Sequence, residues 1–142
     1  MGGTSKKIDI ATEYLDVAIQ LYFEGKYFSA IHLAGAAAEL LGAHLPEPDR
    51  HFTLAWKAQK ALAGDVTGKL PTDTQAKKVI NNTKNAIKHM DDNSDSEIDI
   101  NSSQEAIHGI EHALSEYYKL KLPKSENIWR FEDSTVHGLE QK

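Results

Sequence analysis

The sequence of 142 residues contains no cysteine and only four prolines. Without cysteine, the chain forms no disulfide, no thiolate metal site and no cysteine nucleophile. Any catalytic site must therefore rely on histidine or carboxylate side chains. The chain has seven histidines.

A long hydrophobic run is also missing, because no stretch of about 18 apolar residues occurs. The first ten residues, MGGTSKKIDI, lack the apolar stretch of a secretion signal. Nothing in the sequence directs the chain into or across a membrane. We therefore expect a cytoplasmic protein with no membrane partner.

The length and the 40% of apolar residues suit one hydrophobic core and are too small for two. We expect a bundle domain over residues 1–123, which Pro123 ends because proline cannot continue a helix. The polar segment 124–142 is predicted to be a C-terminal tail, extended or docked. An aromatic cluster in such a tail usually docks, either back on the bundle or across a subunit boundary. The cluster comprises Ile128, Trp129 and Phe131.

Apolar residues recur at spacings of three and four in five segments, a pattern typical of helices that bury one face. The segments are 8–24, 27–44, 53–63, 73–90 and 102–122. Gly25 ends the first, and the alanine-rich second segment favours a central, most buried helix. No segment shows strand alternation. The sequence therefore predicts an all-α, antiparallel up-and-down bundle of about five helices.

Two capping boxes are predicted at helix starts, one from Thr72 with Gln75 and one from Ser102 with Glu105. The periodicity also predicts which side chains of the third and fourth helices face the core. They are Leu54, Trp56, Ala58, Ala61 and Leu62 in the third helix, and Ala76, Val79, Ile80, Thr83, Ile87 and Met90 in the fourth.

Charge is unevenly distributed along the chain. The whole sequence carries −5, whereas residues 53–90 contain seven lysines and two aspartates, a net charge of +5. A basic face can bind phosphate groups even on an acidic protein. Lys77, Lys78 and Lys88 are therefore candidate nucleic-acid-binding residues, and a solvated lysine-rich helix surface is the alternative.

The segment KNAIKH, from Lys84 to His89, combines cations, an amide and a histidine. Together with the Gly-Lys-Tyr turn at 25–27 and the alanine-rich helix after it, this segment resembles the HEPN domains (higher eukaryotes and prokaryotes nucleotide-binding). Those domains are all-α up-and-down bundles. Their ribonuclease members carry an arginine, usually a polar residue next, then three residues and a histidine. Lys84, Asn85 and His89 match this spacing with lysine in place of arginine, and the wider resemblance covers residues 8–122.

The resemblance implies a domain that binds RNA or a nucleotide. Because lysine replaces the arginine of the motif, we expect a weak or degenerate metal-independent endoribonuclease activity of a bacterial defence or toxin–antitoxin type, or no activity. His89 would move the proton of the 2′-hydroxyl or of the leaving oxygen, since histidine titrates near neutral pH. Asn85 lies one turn earlier and would orient the imidazole or the phosphate. Lys84 supplies the positive charge without the two-pronged donors of arginine. The resemblance implies a homodimer, and no cofactor or metal is expected.

Two further features of the sequence each allow a functional and a structural interpretation. HGIEH, residues 108–112, places His108 and His112 one turn apart, as in some zinc proteases, but a third ligand is not evident. We interpret Glu105, His108, Glu111 and His112 as an exposed polar face. Glu39 lies in the otherwise apolar second helix, where a buried carboxylate needs a salt bridge or hydrogen bond.

The alternative function is a non-enzymatic helical module for protein–protein interaction, with a protein partner bound through the C-terminal tail. In that case Asn85 and His89 only form a hydrogen bond with each other at a helix end. A protonated His89 in the last turn would then favour the helix dipole without any catalysis.

Overall fold

The computed structural model describes residues 2–88 and 96–140, with the backbone alone at 83–86, 88 and 136–140. The described residues form six α-helices and no strand, so the predicted all-α bundle is confirmed, with one helix more than expected. The helices are α1 (Lys7–Phe23), α2 (Tyr27–Gly42), α3 (His51–Thr67), α4 (Asp73–Lys88), α5 (Ser102–Lys119) and α6 (Glu126–Glu140). None of the described helices is long and apolar enough to cross a membrane.

The core lies where α2 packs between α1 and α5. Gly25 adopts a left-handed conformation with φ of 78°, which glycine takes without strain, and this lets α2 fold back along α1. Ala34, Ala37 and Leu41 of α2 are fully buried. The predicted central position of this helix is therefore confirmed, because its small side chains admit neighbours on several sides.

The starts of α4 and α5 are capped differently from each other. The predicted capping box of α4 is confirmed, because Gln75 N donates to Thr72 Oγ1 at 3.2 Å and Thr72 N donates to Gln75 Oε1 at 2.9 Å. The predicted box at Ser102 is wrong. Asn101 caps α5 instead, and its side-chain oxygen accepts from Gln104 N at 3.2 Å.

Helices α3 and α4 pack mainly against each other at one edge of the bundle. Trp56 and Ala76 are buried as predicted. The other predictions for α3 are wrong, because Leu54 and Leu62 are 49% and 59% exposed, and Val79 of α4 is 55% exposed. The cause is that α1 and α5 cover most of α2, which leaves the outer faces of α3 and α4 without a packing partner among the described residues.

Helix α6 docks the C-terminal segment on the bundle. Ile128 and Phe131 are buried in the same core cluster as the residues of α1, and the Phe131 ring meets that of Tyr22 edge-on at 5.6 Å. Ser125 Oγ donates to Asp16 Oδ1 at 2.8 Å and fixes the start of the helix. The sequence left two docking modes open for this segment, and in the structure it docks on the bundle.

We predict that Phe131→Ala lowers the free energy of unfolding by about 3–5 kcal/mol, because it leaves a cavity at a fully buried site. Trp129→Ala is the matched control, since Trp129 lies on the same helix and is 59% exposed. Urea unfolding of both variants measures the difference. Equal destabilisation by the two substitutions would contradict the docking of α6.

Candidate functional site

An open cleft of about 610 Å³ lies between α2, α3, α4 and α5. Its apolar wall includes Ile31, Ala38, Phe52, Ala55 and Ile80. Its polar groups include Arg50, His51, Asn81, Glu105, His112 and Glu116. A largely apolar cleft of this size with a few converging polar groups is the usual form of a small-molecule site.

Three contacts of the connection between α2 and α3 fix His51 at the edge of the cleft. Arg50 Nε donates to Leu45 O at 3.2 Å, and Lys119 Nζ of α5 donates to Asp49 O at 2.6 Å. His51 then begins α3, with its Nδ1 3.0 Å from Ser115 Oγ of α5. The connection is thus fixed by the first two contacts, and the imidazole itself is held by Ser115 of α5.

His51 and His112 stack against each other in the cleft. Their ring centroids are 3.9 Å apart and the rings are inclined by 29°. Burial and the neighbouring His112 lower the pKa of His51 to about 4, although the Glu116 carboxylate acts in the opposite direction. His51 is therefore neutral at neutral pH.

The hydrogen bonds of Ser115 define the tautomer of His51. Ser115 Oγ donates its proton to His112 O at 2.8 Å, so its oxygen accepts from Nδ1–H of His51. Nε2 of His51 consequently carries a lone pair. The ring presents a hydrogen-bond acceptor at its remaining nitrogen.

Glu116 is the buried carboxylate of the site, with an exposed fraction of 1%. Its Oε1 lies 3.2 Å from Nε2 of His112, one turn earlier on α5. Its Oε2 is buried and has no hydrogen-bond partner among the described residues. A Cβ added at Gly42 would overlap Oε2, so α2 makes room for the carboxylate by having glycine there.

The predicted exposed polar face of α5 is wrong in part. His108 and Glu111 are exposed, but Glu105 and His112 are half-buried and line the cleft. In the part of the chain that the structure describes, no group of three or more His, Asp or Glu side chains is arranged to hold a metal ion. His112 stacks on His51 and pairs with Glu116.

The sequence also indicated a buried carboxylate at Glu39 of α2, and this prediction is wrong. Glu39 is exposed at the cleft, and it makes an interaction of its own. Sequence reasoning missed Glu116 because a glutamate beside the apolar residues Leu114 and Tyr117 of a helix is expected to face solvent. A usable signal was present, since Glu116 lies three residues after Ala113 and seven after Gly109, on the side of α5 that meets α2.

The candidate residues from the basic segment and from the HEPN resemblance all lie on or after α4 in the sequence. Lys77 and Lys78 are exposed. Lys84, Asn85 and Lys88 belong to α4, whose backbone alone is described there, and His89 lies outside the described residues. Asn81, which lines the cleft, precedes Asn85 by one helical turn.

Comparisons with known proteins give no further assignment. No protein-family model, no curated protein and no solved structure matches this chain. The HEPN resemblance and the roles that it implies therefore stay predictions.

We predict that His51→Asn makes the protein less sensitive to acid. Between about pH 6.5 and 4, His51 takes up a proton in the unfolded chain and not in the folded one, so the free energy of unfolding falls as the pH falls through this window. Asparagine can keep the donor to Ser115 but does not titrate. The pH dependence should decrease by up to one proton, as measured by urea unfolding from pH 4.5 to 7.5.

His108→Asn is the matched control, because it removes an exposed histidine of α5. The argument fails if His51→Asn leaves the wild-type pH dependence unchanged, or if His108→Asn reduces it equally.

Proposed function

We propose that this chain is a HEPN-like domain that binds RNA or a nucleotide through the basic surface of α3 and α4. The observation that carries the proposal is the convergence of two lysines from adjacent helices on one ring. Lys57 Nζ lies 5.8 Å and Lys77 Nζ lies 4.9 Å from the ring centroid of the buried Trp56. Lys78 is exposed next to Lys77.

The contacts with Trp56 reduce the freedom of two flexible side chains. A cation above an aromatic ring is attracted by the negative face of the ring, so the two ammonium groups stay near the surface of the hairpin. Among the lysines of α3 and α4 whose side chains the structure describes, Lys60 alone forms an ion pair, with Asp73 at 2.6 Å. The hydrogen bond from Lys60 holds the pKa of Asp73 below its usual value. Lys57, Lys77 and Lys78 form no ion pair among the described residues and are available to a phosphate backbone.

We predict that the double substitution Lys77→Ala with Lys78→Ala weakens binding of a labelled stem-loop RNA. Each lysine that contacts a phosphate releases counterions from the RNA, so its loss reduces the slope of log K against log salt concentration by about one. Fluorescence anisotropy titrations at several salt concentrations measure both the affinity and the slope.

The matched control is Lys6→Ala with Lys7→Ala, which removes the same charge from the exposed start of α1. If the control pair lowers the affinity and the slope as much as the pair in α4, binding depends on overall charge and not on this surface. Binding that is absent in the wild-type protein would reject the proposal outright.

The endoribonuclease activity that the resemblance implies rests on Lys84, Asn85 and His89. We predict that the wild-type protein cleaves the same RNA slowly in the presence of EDTA, that His89→Ala abolishes the cleavage and that Lys84→Arg increases it. Arginine restores the two-pronged donor for the phosphate, and His89 provides the proton transfer. Gel electrophoresis of the labelled RNA measures the rates, and equal cleavage by wild type and His89→Ala would remove the nuclease.

A second candidate function is a protein–protein interaction module, and the exposed apolar residues of α3 and α4 favour it. Leu62, Val66, Leu70 and Val79 are all more than half exposed on the same hairpin, and exposed apolar side chains of this kind mark interaction surfaces. The homodimer that the resemblance implies is one such partner. A dimeric mass in solution, combined with no salt-sensitive RNA binding, would favour this function over the first.

A further inference from the structure

Glu116 Oε2 is a buried oxygen without a hydrogen-bond partner among the described residues, and it has no role in the lysine surface proposed above. A buried carboxylate oxygen without a hydrogen bond is costly, because it has lost its water and gained no donor. Glu116 lines the cleft, and the terminal torsion of a glutamate side chain is soft. A small rotation would therefore turn Oε2 from Gly42 toward a ligand that supplies a donor.

The cleft has aromatic and apolar surfaces on which a flat ring can stack. Phe52 and the stacked pair of His51 and His112 supply aromatic surface, while Ile80 and Ala38 supply apolar wall. Bases stack readily on aromatic side chains, and histidine is one of those that RNA-binding proteins use. The volume of about 610 Å³ suits a ligand of the size of a nucleoside.

The carboxylate also selects among the bases. An ionised carboxylate only accepts hydrogen bonds, so it favours a ring edge with two adjacent donors. Guanine presents such an edge with N1–H and its exocyclic N2 amino group. Adenine and cytosine each place a ring acceptor beside their amino group, and uracil places two carbonyl oxygens beside its single donor. These acceptors carry partial negative charge, as the carboxylate oxygens do, so they would repel the carboxylate.

We propose that the cleft binds a guanine base, with Glu116 accepting from N1–H and from the N2 amino group. Asn81 lines the same cleft and donates its amide N–H to the guanine oxygen. Lys77 and Lys78 precede Asn81 by one helical turn on α4, so a phosphate attached to the bound nucleoside lies toward the lysine surface. The inference rests on the proposed function, and it names guanine as the base that this function selects.

Guanosine, inosine and adenosine are the probes, because none of them carries a phosphate that could bind to the lysines. The full chain is titrated with each nucleoside by isothermal calorimetry at neutral pH. We expect guanosine to bind, inosine to bind at least about tenfold more weakly because it lacks the N2 amino group, and adenosine to bind more weakly still. Adenosine binding as tightly as guanosine, or no binding of guanosine, would overturn the inference.

One variant and one control test the role of the carboxylate. Glu116→Gln replaces one acceptor with a donor and should weaken guanosine binding at least about tenfold. Glu111→Gln, an exposed position on the same helix, should leave binding unchanged. Circular dichroism verifies that each variant is folded. If Glu116→Gln does not fold, the comparison of guanosine with inosine decides, and unchanged guanosine affinity in the folded variant rejects the assignment.

The lysine variants separate this inference from the proposed function. Lys77→Ala with Lys78→Ala should weaken RNA binding and leave guanosine binding intact, since the nucleoside has no phosphate. RNA binding without guanosine binding would reject the guanine site alone. Guanosine binding without RNA binding would reject the RNA surface and support the cleft.

Discussion

The close packing of α2 between α1 and α5 is the constraint on which the rest of the structure depends. Fully buried Ala34 and Ala37 lie in this core, and their small volume lets three helices share one centre. The same shortage of side-chain volume continues to Gly42, where it makes the space that the Glu116 carboxylate occupies. The packing of the core and the polarity of the cleft thus have one origin, because a larger residue at the end of α2 would exclude both the carboxylate and its pairing with His112.

Much of the fold could be predicted because its signals are local. Gly25 and the pair of Thr72 and Gln75 act on the few residues around them, and both behave as their chemistry dictates. Leu54 and Leu62 were predicted wrongly for a different reason. A helical period indicates which face of α3 is apolar, but whether another helix covers that face depends on how the neighbours are arranged, and here none of the described helices does.

The candidate site was harder to predict than the fold. His51 and His112 lie far apart in the sequence, so no spacing rule indicates that their rings stack. Glu39 was considered buried because its helix is apolar, whereas Glu116 is the buried carboxylate because α2 has a glycine opposite it. Whether a charged group is buried depends on the shape of the helix that packs against it. The residues next to that group in the sequence do not indicate this shape. The role of His89 stays a prediction, since it rests on the motif alone.

The docking of α6 ties the two ends of the domain together. Ile128 and Phe131 pack in the cluster that contains Leu15 of α1, so part of α1 is covered by a helix that is synthesised after α2 to α5. Because chains emerge from their amino end, the part of α1 that α6 covers stays exposed throughout synthesis of the residues between them. The packing around Phe131 is therefore completed only after α6 has emerged. Completion of the native state is then limited by translation and not by helix formation, which takes about a microsecond or less.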